Sequence, residues 1–250
     1  VLGNITVTPT ANTCIGASKT FTITVNPSPK VTTVNNVAYC NTAPGAAIAF
    51  ASPTSGSTYT WTSSANVGFG TSGSGNIAAF TVANAGVAPI ISTVSVTAKT
   101  ATCTGPAKTF TVTANPTPVV TTLSNLTYCG TETAPAISFT SLTSGTTYAW
   151  TSTANVGFGT TGTGNITSYT VANPIVSATT ATISVIPTAN TCEGTAKTFT
   201  ITVNPSPVVS NTADITLCAG EKGNAIAFTS ATPSTTFTWS TPTNVGFGVA

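Results

Sequence analysis

One stretch of eleven residues occurs three times in this chain at a fixed spacing. Lys108–Pro118 reads KTFTVTANPTP, while Lys19–Pro29 and Lys197–Pro207 both read KTFTITVNPSP, and neighbouring copies are 89 residues apart. Within a copy, apolar residues such as Phe110 and Val112 alternate with threonines, the period of two expected of a half-buried strand. The Asn-Pro-x-Pro ending stops the strand, because proline donates no hydrogen bond and holds the preceding residue extended. We therefore expect a repeated domain that closes on this strand and leads into the next through a short linker.

The spacing of 89 residues divides the sequence into four segments. Two are complete and are called repeat 1 (30–118) and repeat 2 (119–207). Residues 1–29 form the C-terminal part of a repeat, and residues 208–250 form the N-terminal part of another. We expect this chain to be a window on a longer array, with signals and anchors outside it. Each repeat has enough Trp, Phe, Val and Ile to bury its own core, which predicts a string of domains rather than a solenoid.

Short segments with alternating polarity predict the strands of a repeat. In repeat 1 the predicted strands are Val31–Tyr39, Ala47–Ala51, Thr58–Ser63, Asn76–Val82, Ile91–Ala98 and Lys108–Ala114. The glycine-rich stretch from Asn66 to Gly75 is predicted to be a connection. No segment shows a period of 3.6, so the pattern predicts an all-β fold of tandem antiparallel β-sandwich domains.

Charged side chains are scarce, which limits the chemistry available to the chain. Only 4% of the residues are charged and histidine is absent, whereas a typical soluble domain is about 25% charged. Repeat 1 contains neither Asp nor Glu, so it lacks the groups that general acid–base catalysis and calcium binding require. We therefore expect no enzyme, no metal site and no cofactor.

The net charge and hydropathy pattern also bear on partners. The net charge is only +2, and Lys19, Lys108 and Lys197 are spread one to a repeat copy. This distribution forms no basic patch and argues against a nucleic-acid partner. No apolar run approaches the ~18 residues of a transmembrane helix, so we expect no membrane insertion in this chain.

Six cysteines fall at two positions of the repeat. They are Cys14, Cys40, Cys103, Cys129, Cys192 and Cys218. In repeat 1 the preferred pair is Cys40 with Cys103, because it lets the domain close independently. In repeat 2 the preferred pair is Cys129 with Cys192. The members of each pair are 63 residues apart. A disulfide that closes a loop of this length stabilises the folded state by about 4 kcal/mol. Cys14 and Cys218 would then pair outside the sequence.

A rival pairing stays open at this stage. It joins Cys103 with Cys129, and Cys14 with Cys40, at a separation of 26 residues across the linker. Either pairing implies an oxidising, extracytoplasmic compartment. Under the preferred pairing, tension on the array would leave residues 41–102 unextended, because the Cys40–Cys103 bond would carry the load.

Aromatic residues recur at two positions that suggest different roles. One tryptophan per repeat lies in an aromatic-x-Trp alternation, which favours a place in the core over a sugar-stacking platform: Trp61, Trp150 and Trp239. One phenylalanine per repeat lies in an Asn-Val-Gly-Phe-Gly loop: Phe69, Phe158 and Phe247. These three are candidates for an exposed contact with a glycan or a neighbouring unit. Packing against the end of the sandwich is the favoured alternative.

The repeat motifs resemble those of a known group of proteins. Repeats with an early Cys, a central Trp-Thr, a later Gly-x-Gly-Asn-Ile and a Thr-Ile-Thr-Val-Asn-Pro-x-Pro ending resemble the PKD-like and Ig-like repeats of giant secreted adhesins of Bacteroidetes-type bacteria. Gliding-motility adhesin filaments exported by the type IX secretion system belong to this group. The resemblance covers the whole chain and implies tandem Ig-like or PKD-like sandwiches. This sequence lacks the acidic Trp-Asp-Phe-Gly-Asp-Gly segment of PKD domains and reads TSSANVGFG after Trp61, so no calcium role is carried over.

The resemblance implies a structural role outside the cell. The repeats would be disulfide-stabilised spacers in the stalk of a long extracellular filament or cell-surface adhesin used in adhesion or gliding. Their partners would be the neighbouring repeats of the same chain, and glycans or solid surfaces. Two alternatives are multivalent glycan- or surface-binding repeats, whose weak contacts add up, and a self-associating sheath or surface layer.

Overall fold

The computed structural model describes residues 1–243 and 245–246. Its chain divides into two compact units, Val1–Thr117 and Pro118–Ala250. The first unit contains all of repeat 1 except its last residue, and the second contains all of repeat 2. Every regular element among the described residues is a β-strand, and none of the described chain forms a helix that could cross a membrane. The fold is therefore all-β, as the sequence predicts.

The described part of the chain contains nineteen strands, numbered in chain order. Those of the first unit are β1 Leu2–Val7, β2 Thr10–Ala11, β3 Cys14–Ile15, β4 Lys19–Thr24, β5 Val37–Cys40, β6 Pro44–Gly45, β7 Thr58–Ser63, β8 Ser72–Ser74, β9 Phe80–Thr81, β10 Ile90–Lys99 and β11 Thr104–Asn115. Those of the second unit are β12 Leu126–Cys129, β13 Thr133–Ala134, β14 Thr147–Ser152, β15 Thr161–Thr163, β16 Tyr169–Thr170, β17 Thr179–Ala189, β18 Cys192–Glu193 and β19 Lys197–Asn204. The two complete repeats have the same order of elements, except that repeat 2 has the additional short strand β18.

The main sheet of repeat 1 has the strand order β5-β11-β10-β7-β8. All its ladders are antiparallel except that of β5 with β11, which is parallel and places Val37 opposite Val112. The main sheet of repeat 2 has the order β12-β19-β17-β14-β15, with a parallel ladder between β12 and β19. The predicted antiparallel sandwich is confirmed, and these two parallel ladders are exceptions within it. Alternation fixes which face of a strand is buried but not the direction of its partner.

A second, less regular layer covers the main sheet of repeat 1. It contains the β6–β9 ladder, the isolated bridge between Ile48 and Ile77, and a 2.8 Å hydrogen bond from the Thr32 amide to the Ala51 carbonyl. The residues buried between the layers are Val31, Phe50, Trp61, Val67, Ile77, Val82, Val94, Val96, Ala98, Phe110, Val112 and Ala114. Repeat 2 has a corresponding core. Each repeat is thus a β-sandwich with its own hydrophobic core.

The strands of the main sheet match the sequence prediction closely. Thr58–Ser63 is a strand with the predicted bounds. Ile91–Ala98 lengthens to Ile90–Lys99, and Lys108–Ala114 lengthens to Thr104–Asn115. These segments alternate strongly because one face lies on the core and the other faces water.

Three predicted strands were overestimated. Val31–Tyr39 shrinks to Val37–Cys40, an edge strand of the main sheet, and Asn76–Val82 shrinks to Phe80–Thr81 in the second layer. Ala47–Ala51 forms no strand and contributes only the bridge at Ile48. Side chains of this layer reach the core while the backbone makes few ladder hydrogen bonds, so apolar alternation overstates strand length here.

Candidate functional site

The loop phenylalanines, predicted as candidate exposed contacts, pack inward in both complete repeats. Phe69 is half-buried, with its ring centre 5.7 Å from that of Trp61 and 4.9 Å from that of Phe80, both edge-to-face. Phe158 is also half-buried and packs in the same way at 5.4 Å from Trp150 and at 4.9 Å from the aromatic ring at position 169. Edge-to-face contacts at these distances are favourable. Phe247 lies outside the described residues.

The Asn-Val-Gly-Phe-Gly sequence is explained by the loop that it forms. The side-chain oxygen of Asn66 accepts hydrogen bonds from the amides of Gly68 and Gly70, both at 2.9 Å. Gly68 has φ of 122°, and a Cβ there would lie 2.0 Å from the Thr81 carbonyl oxygen. Only glycine fits this close approach at positive φ. The motif therefore holds Phe69 against the core rather than presenting it to a ligand.

The tryptophans of the complete repeats occupy the core, as predicted. Trp61 and Trp150 are each 6% exposed. Their indole nitrogens are buried without a hydrogen-bond partner, so neither ring presents a polar edge to a sugar. Trp239, in segment 208–250, is exposed.

The cysteines do not form the pairs predicted from their spacing. Cys40 and Cys192 are disulfide-bonded. The other four are free thiols: Cys14, Cys103, Cys129 and Cys218. The expected pairs Cys40–Cys103 and Cys129–Cys192 are therefore absent, and so are the rival pairs across the linkers. Because Cys40 and Cys103 are not bonded to each other, the prediction that their bond protects residues 41–102 from extension is wrong.

The reason lies in where each repeat places its two cysteines. Cys40 is opposite Asn115, the last residue of β11, whereas Cys103 immediately precedes Thr104, the first residue of β11. A twelve-residue strand spans about 36 Å, while a disulfide requires Cα atoms within about 7 Å. In repeat 2 Cys129 is likewise opposite Asn204, the last residue of β19. The early cysteine (Cys40, Cys129) and the late cysteine (Cys103, Cys192) thus lie at opposite ends of the sheet.

The linker entering repeat 1 is tied to the turn that carries the late cysteine. The Asn26 side-chain amide donates to the Thr102 hydroxyl at 2.9 Å, and the Ser28 hydroxyl donates to the Thr104 carbonyl at 3.4 Å. The Cys103 Sγ lies 4.0 Å from the Asn26 carbonyl oxygen. The incoming linker therefore runs beside the late cysteine.

A glycine makes this close approach possible in both units. A Cβ on Gly105 would lie 1.8 Å from the Pro29 carbonyl oxygen, and a Cβ on Gly194 would lie 1.9 Å from the Pro118 carbonyl oxygen. Any side chain here would have to push the linker away. The turn after the late cysteine is therefore shaped to receive the linker.

The linker leaving a repeat is tied to the residues after the early cysteine. In repeat 2 the Gly130 amide donates to the Asn204 carbonyl at 2.8 Å, and the Ser206 hydroxyl donates to the Gly130 carbonyl at 2.7 Å. In repeat 1 the Asn41 amide donates to the Asn115 carbonyl at 2.8 Å. Each repeat thus grips its linkers at both ends through backbone and hydroxyl groups.

An asparagine closes the same end of each repeat and is fully buried in repeat 1. Asn84 is 2% exposed, and its side-chain amide donates to the Ala88 and Ala114 carbonyls at 2.9 and 2.6 Å. Its side-chain oxygen accepts from the Gly86 amide at 3.0 Å. Asn173 makes the equivalent bonds in repeat 2. Because every polar atom of the group is satisfied, this side chain stabilises the loop rather than waiting for a ligand.

Several clefts open on the second unit, and two of about 570 Å³ lie near its outgoing linker. The first of these is lined by residues 130–131, 171–176, 205–206, 208 and 230–232. No charged side chain lines it. Within residues 1–243 and 245–246, no group of three or more His, Cys, Asp or Glu side chains could hold a metal ion.

Tyr169 differs from its counterpart in repeat 1, which is Phe80. Its hydroxyl is buried and has no hydrogen-bond partner. Burial, and secondarily the neighbouring Tyr128, raises the pKa of Tyr169 to about 12. Burial also raises the pKa of Tyr148. A tyrosine that resists ionisation and contacts only core atoms is a packing residue, not an acid or base.

Comparison with known proteins gives neither a family nor a close relative. No protein-family profile matches this chain, and no curated protein is similar to it in sequence.

Comparison with solved structures returns strings of sandwich domains. DIP-gamma IG1+IG2 matches 71% of this chain and 98% of its own length, at 11% identity and a TM-score of 0.38. Immunoglobulin domains 1–5 of Sidekick-1 match 73% of this chain and 40% of their own length, at 12% identity and a TM-score of 0.45. Mouse cadherin-23 EC22–24 matches 73% and 68%, at 14% identity and a TM-score of 0.41. At this level the matches carry no functional argument.

Proposed function

We propose that these repeats are structural: they form the stalk of a long extracellular filament or cell-surface adhesin. The observation that carries this proposal is the way each repeat holds its linkers. Asn26 and Ser28 are bonded to the turn at the incoming end, and Asn204 and Ser206 are bonded to Gly130 at the outgoing end. A linker bonded to the adjacent repeat transmits force to that repeat, whereas an unattached one would behave as a loose coil.

The inward packing of the repeated aromatic residues in the two complete repeats supports a spacer over a glycan-binding module. The repeated aromatic residue best placed for sugar stacking, Phe69 or Phe158, is packed onto the core tryptophan. Trp61 and Trp150 are buried as well. A glycan-binding repeat would instead need an exposed aromatic face in each unit.

The proposed setting is outside the cell, where a disulfide persists. Cys40 and Cys192 are disulfide-bonded, and such bonds are rare in reducing compartments. Gliding or adhesion is the activity that the motif resemblance favours for the whole filament. Neighbouring repeats of the same chain are the partners proposed for this part of it. Catalysis has no place in this proposal.

Electron microscopy of the native assembly, combined with a glycan array, tests the proposal. A stalk predicts filaments one chain wide, and it predicts that purified 1–250 binds no glycan or solid polysaccharide. Lateral contacts between parallel chains would favour a sheath instead. Glycan binding that is lost in Phe69→Ala and retained in the exposed control Thr62→Ala would overturn the spacer in favour of a binding module.

A further inference from the structure

We propose that residues 29–41, called the entry segment of repeat 1, form a shear clamp with β11, in which the Asn36 side chain supplies a bond that the backbone ladder lacks. Residues 118–130 are the entry segment of repeat 2 and form the same clamp with β19. The proposal rests on the stalk function, because a stalk carries tension, and it names the contacts within one repeat that resist this tension.

The entry segment adjoins β11 at both of its ends. At its start, a Cβ on Gly105 would lie 1.8 Å from the Pro29 carbonyl oxygen, and at its end the Asn41 amide donates to the Asn115 carbonyl at 2.8 Å. Gly105 and Asn115 are ten residues apart, which is about 34 Å of strand. The twelve residues from Pro29 to Asn41 must be nearly extended to cover this distance. The entry segment therefore runs along β11 from one end to the other.

The entry segment and β11 run in the same direction. Its last part, β5, pairs with β11 in parallel, from Val37 opposite Val112 to Cys40 opposite Asn115. Tension on the repeat pulls the entry segment backward at its start and pulls β11 forward at its end. This displacement is parallel to the strands and perpendicular to the hydrogen bonds between them. The force therefore loads all these bonds together, whereas a pair that peels apart loses them one after another.

The Asn36 side chain extends the bonded part of this pair. Its Oδ1 accepts a hydrogen bond from the Thr111 amide at 2.8 Å. Thr111 immediately precedes Val112, where the backbone ladder with β5 begins. The side chain thus adds one bond at the end of the ladder that lies nearest the incoming linker.

Repeat 2 has the same arrangement within its own unit. The Oδ1 atom of Asn125 accepts a hydrogen bond from the Thr200 amide at 2.9 Å. This bond again lies one position before the parallel ladder, which begins at Leu126. The start of the entry segment is also placed alike, because a Cβ on Gly194 would lie 1.9 Å from the Pro118 carbonyl oxygen.

The sequence places a side-chain acceptor at this position in all three repeat copies that contain it. The three equivalent residues, 89 apart, are Asn36, Asn125 and Asp214. An aspartate oxygen can accept the same hydrogen bond as an asparagine oxygen. The residues just before them are Asn35, Ser124 and Ala213. The bonded position thus carries an acceptor in every copy, whereas the position before it also accepts alanine.

Single-molecule pulling on the ends of the reduced 1–250 chain tests the clamp. Reduction is needed because Cys40 is disulfide-bonded. Asn36→Ala combined with Asn125→Ala should raise the unfolding rate at a fixed force several-fold, because each repeat loses one bond of its clamp. The matched control, Asn35→Ala combined with Ser124→Ala at exposed positions, should leave the rate unchanged. Asn36→Asp combined with Asn125→Asp keeps the acceptor and should stay close to the control.

A second pulling geometry distinguishes a clamp from a bond that only stabilises the fold. Handles at residues 41 and 117 of the same reduced chain pull β5 and β11 apart at one end. The bonds then break in sequence, and the bond from Asn36 breaks last. The proposal predicts that β5 detaches at a markedly lower force than repeat 1 requires in end-to-end pulling. It also predicts that Asn36→Ala leaves this lower force unchanged.

Three results would overturn the clamp. They are equal forces in the two geometries, an equal effect of Asn36→Ala in both, and equal unfolding rates for the alanine pair and its control. If a variant fails to fold, the two geometries still decide the question on the unsubstituted chain. Any of these results leaves the stalk function standing, because microscopy and the glycan array test that function separately.

Discussion

Trp61 lies directly over Gly73, the middle residue of the neighbouring strand β8. A Cβ on Gly73 would lie 2.3 Å from the Trp61 ring, and a Cβ on Gly162 would lie 2.3 Å from the Trp150 ring. The two repeats therefore use the same device: glycine leaves room for the indole to cover the edge of the sheet. A glycine-rich segment that resembles a loop in sequence is in fact a strand because a tryptophan fills the space above it.

Adding one methyl group at this contact should destabilise repeat 1. Gly73→Ala should lower the free energy of unfolding by about 1–3 kcal/mol, the usual cost of overpacking a core. Urea unfolding followed by tryptophan fluorescence measures the change. The control is Ser74→Ala on the same strand, where the side chain is exposed and the change should stay within about 0.5 kcal/mol. Equal effects of the two substitutions would contradict the packing.

Removing the buried hydroxyl of Tyr169 should stabilise repeat 2. Tyr169→Phe eliminates a buried group without a hydrogen-bond partner, whose burial costs about 1–3 kcal/mol. Repeat 1 already carries Phe80 at this position, so the sandwich accepts the ring. Thermal or urea unfolding should show a gain of roughly 1 kcal/mol. A loss of stability would mean that the hydroxyl has a bonding role.

The same tyrosine should make stability fall at high pH. Its folded pKa, about 12, lies above the ordinary value of 10.0. The unfolded state therefore loses its proton first as pH rises through 10. Ionisation of Tyr169 does not affect the free energy of unfolding below pH 10. Between pH 10 and pH 12 it lowers that free energy progressively, by roughly 2 kcal/mol in all. Unfolding measured at pH 9 and pH 12 should show this extra loss in the native sequence and not in Tyr169→Phe. Parallel curves for the two proteins would contradict it.

The buried side chain of Asn84 should contribute more to stability than exposed asparagines of the same repeat. Asn84→Ala leaves the Gly86 amide and two carbonyls without their side-chain partner, which should cost roughly 2–4 kcal/mol. Asn35→Ala, at an exposed position of the same repeat, is the matched control and should change stability little. Hydrogen exchange at residues 84–88 should accelerate only in the first variant. Unchanged exchange there would argue against this role of Asn84.

The glycine beneath the incoming linker should be needed for its attachment. Gly105→Ala places a Cβ against the Pro29 carbonyl, so the linker must move and its bonds from Asn26 and Ser28 should weaken. Limited proteolysis within residues 26–30 should become faster by several-fold. Thr104→Ala, one residue earlier and exposed, should leave the rate unchanged. Equal rates for all three proteins would show that the linker is not held at this point.

The sequence predicts the main sheet well because its residues alternate under strong constraint. Tyr59 and Trp61 face the core between threonines, and the strand from Thr58 to Ser63 has the predicted bounds. Ser72–Ser74 was predicted to be a connection, since nothing local reveals that Trp61 lies over Gly73. The local sequence pattern indicates whether a residue tends to be buried or exposed, but it does not show which distant residue packs against it.

The cysteine pairing within a repeat was predicted from spacing alone, and the favoured alternative for the loop phenylalanines was packing. The separation of 63 residues between Cys40 and Cys103 suggested a closed domain, yet β11 places the two at opposite ends of the sheet. The parallel ladder that brings Cys40 to Asn115 leaves no mark in local alternation. Phe69 was a candidate contact because loops are usually exposed, whereas Asn66 folds its loop back onto the core.

Single-molecule pulling on the ends of this chain tests most directly whether the repeats are spacers that bear load. After reduction, repeats 1 and 2 should each give a full unfolding step of roughly 250–300 Å, the extended length of 89 residues less the folded span. Gradual extension without two such steps would contradict the account, because it would mean that the repeats do not resist force as separately folded domains.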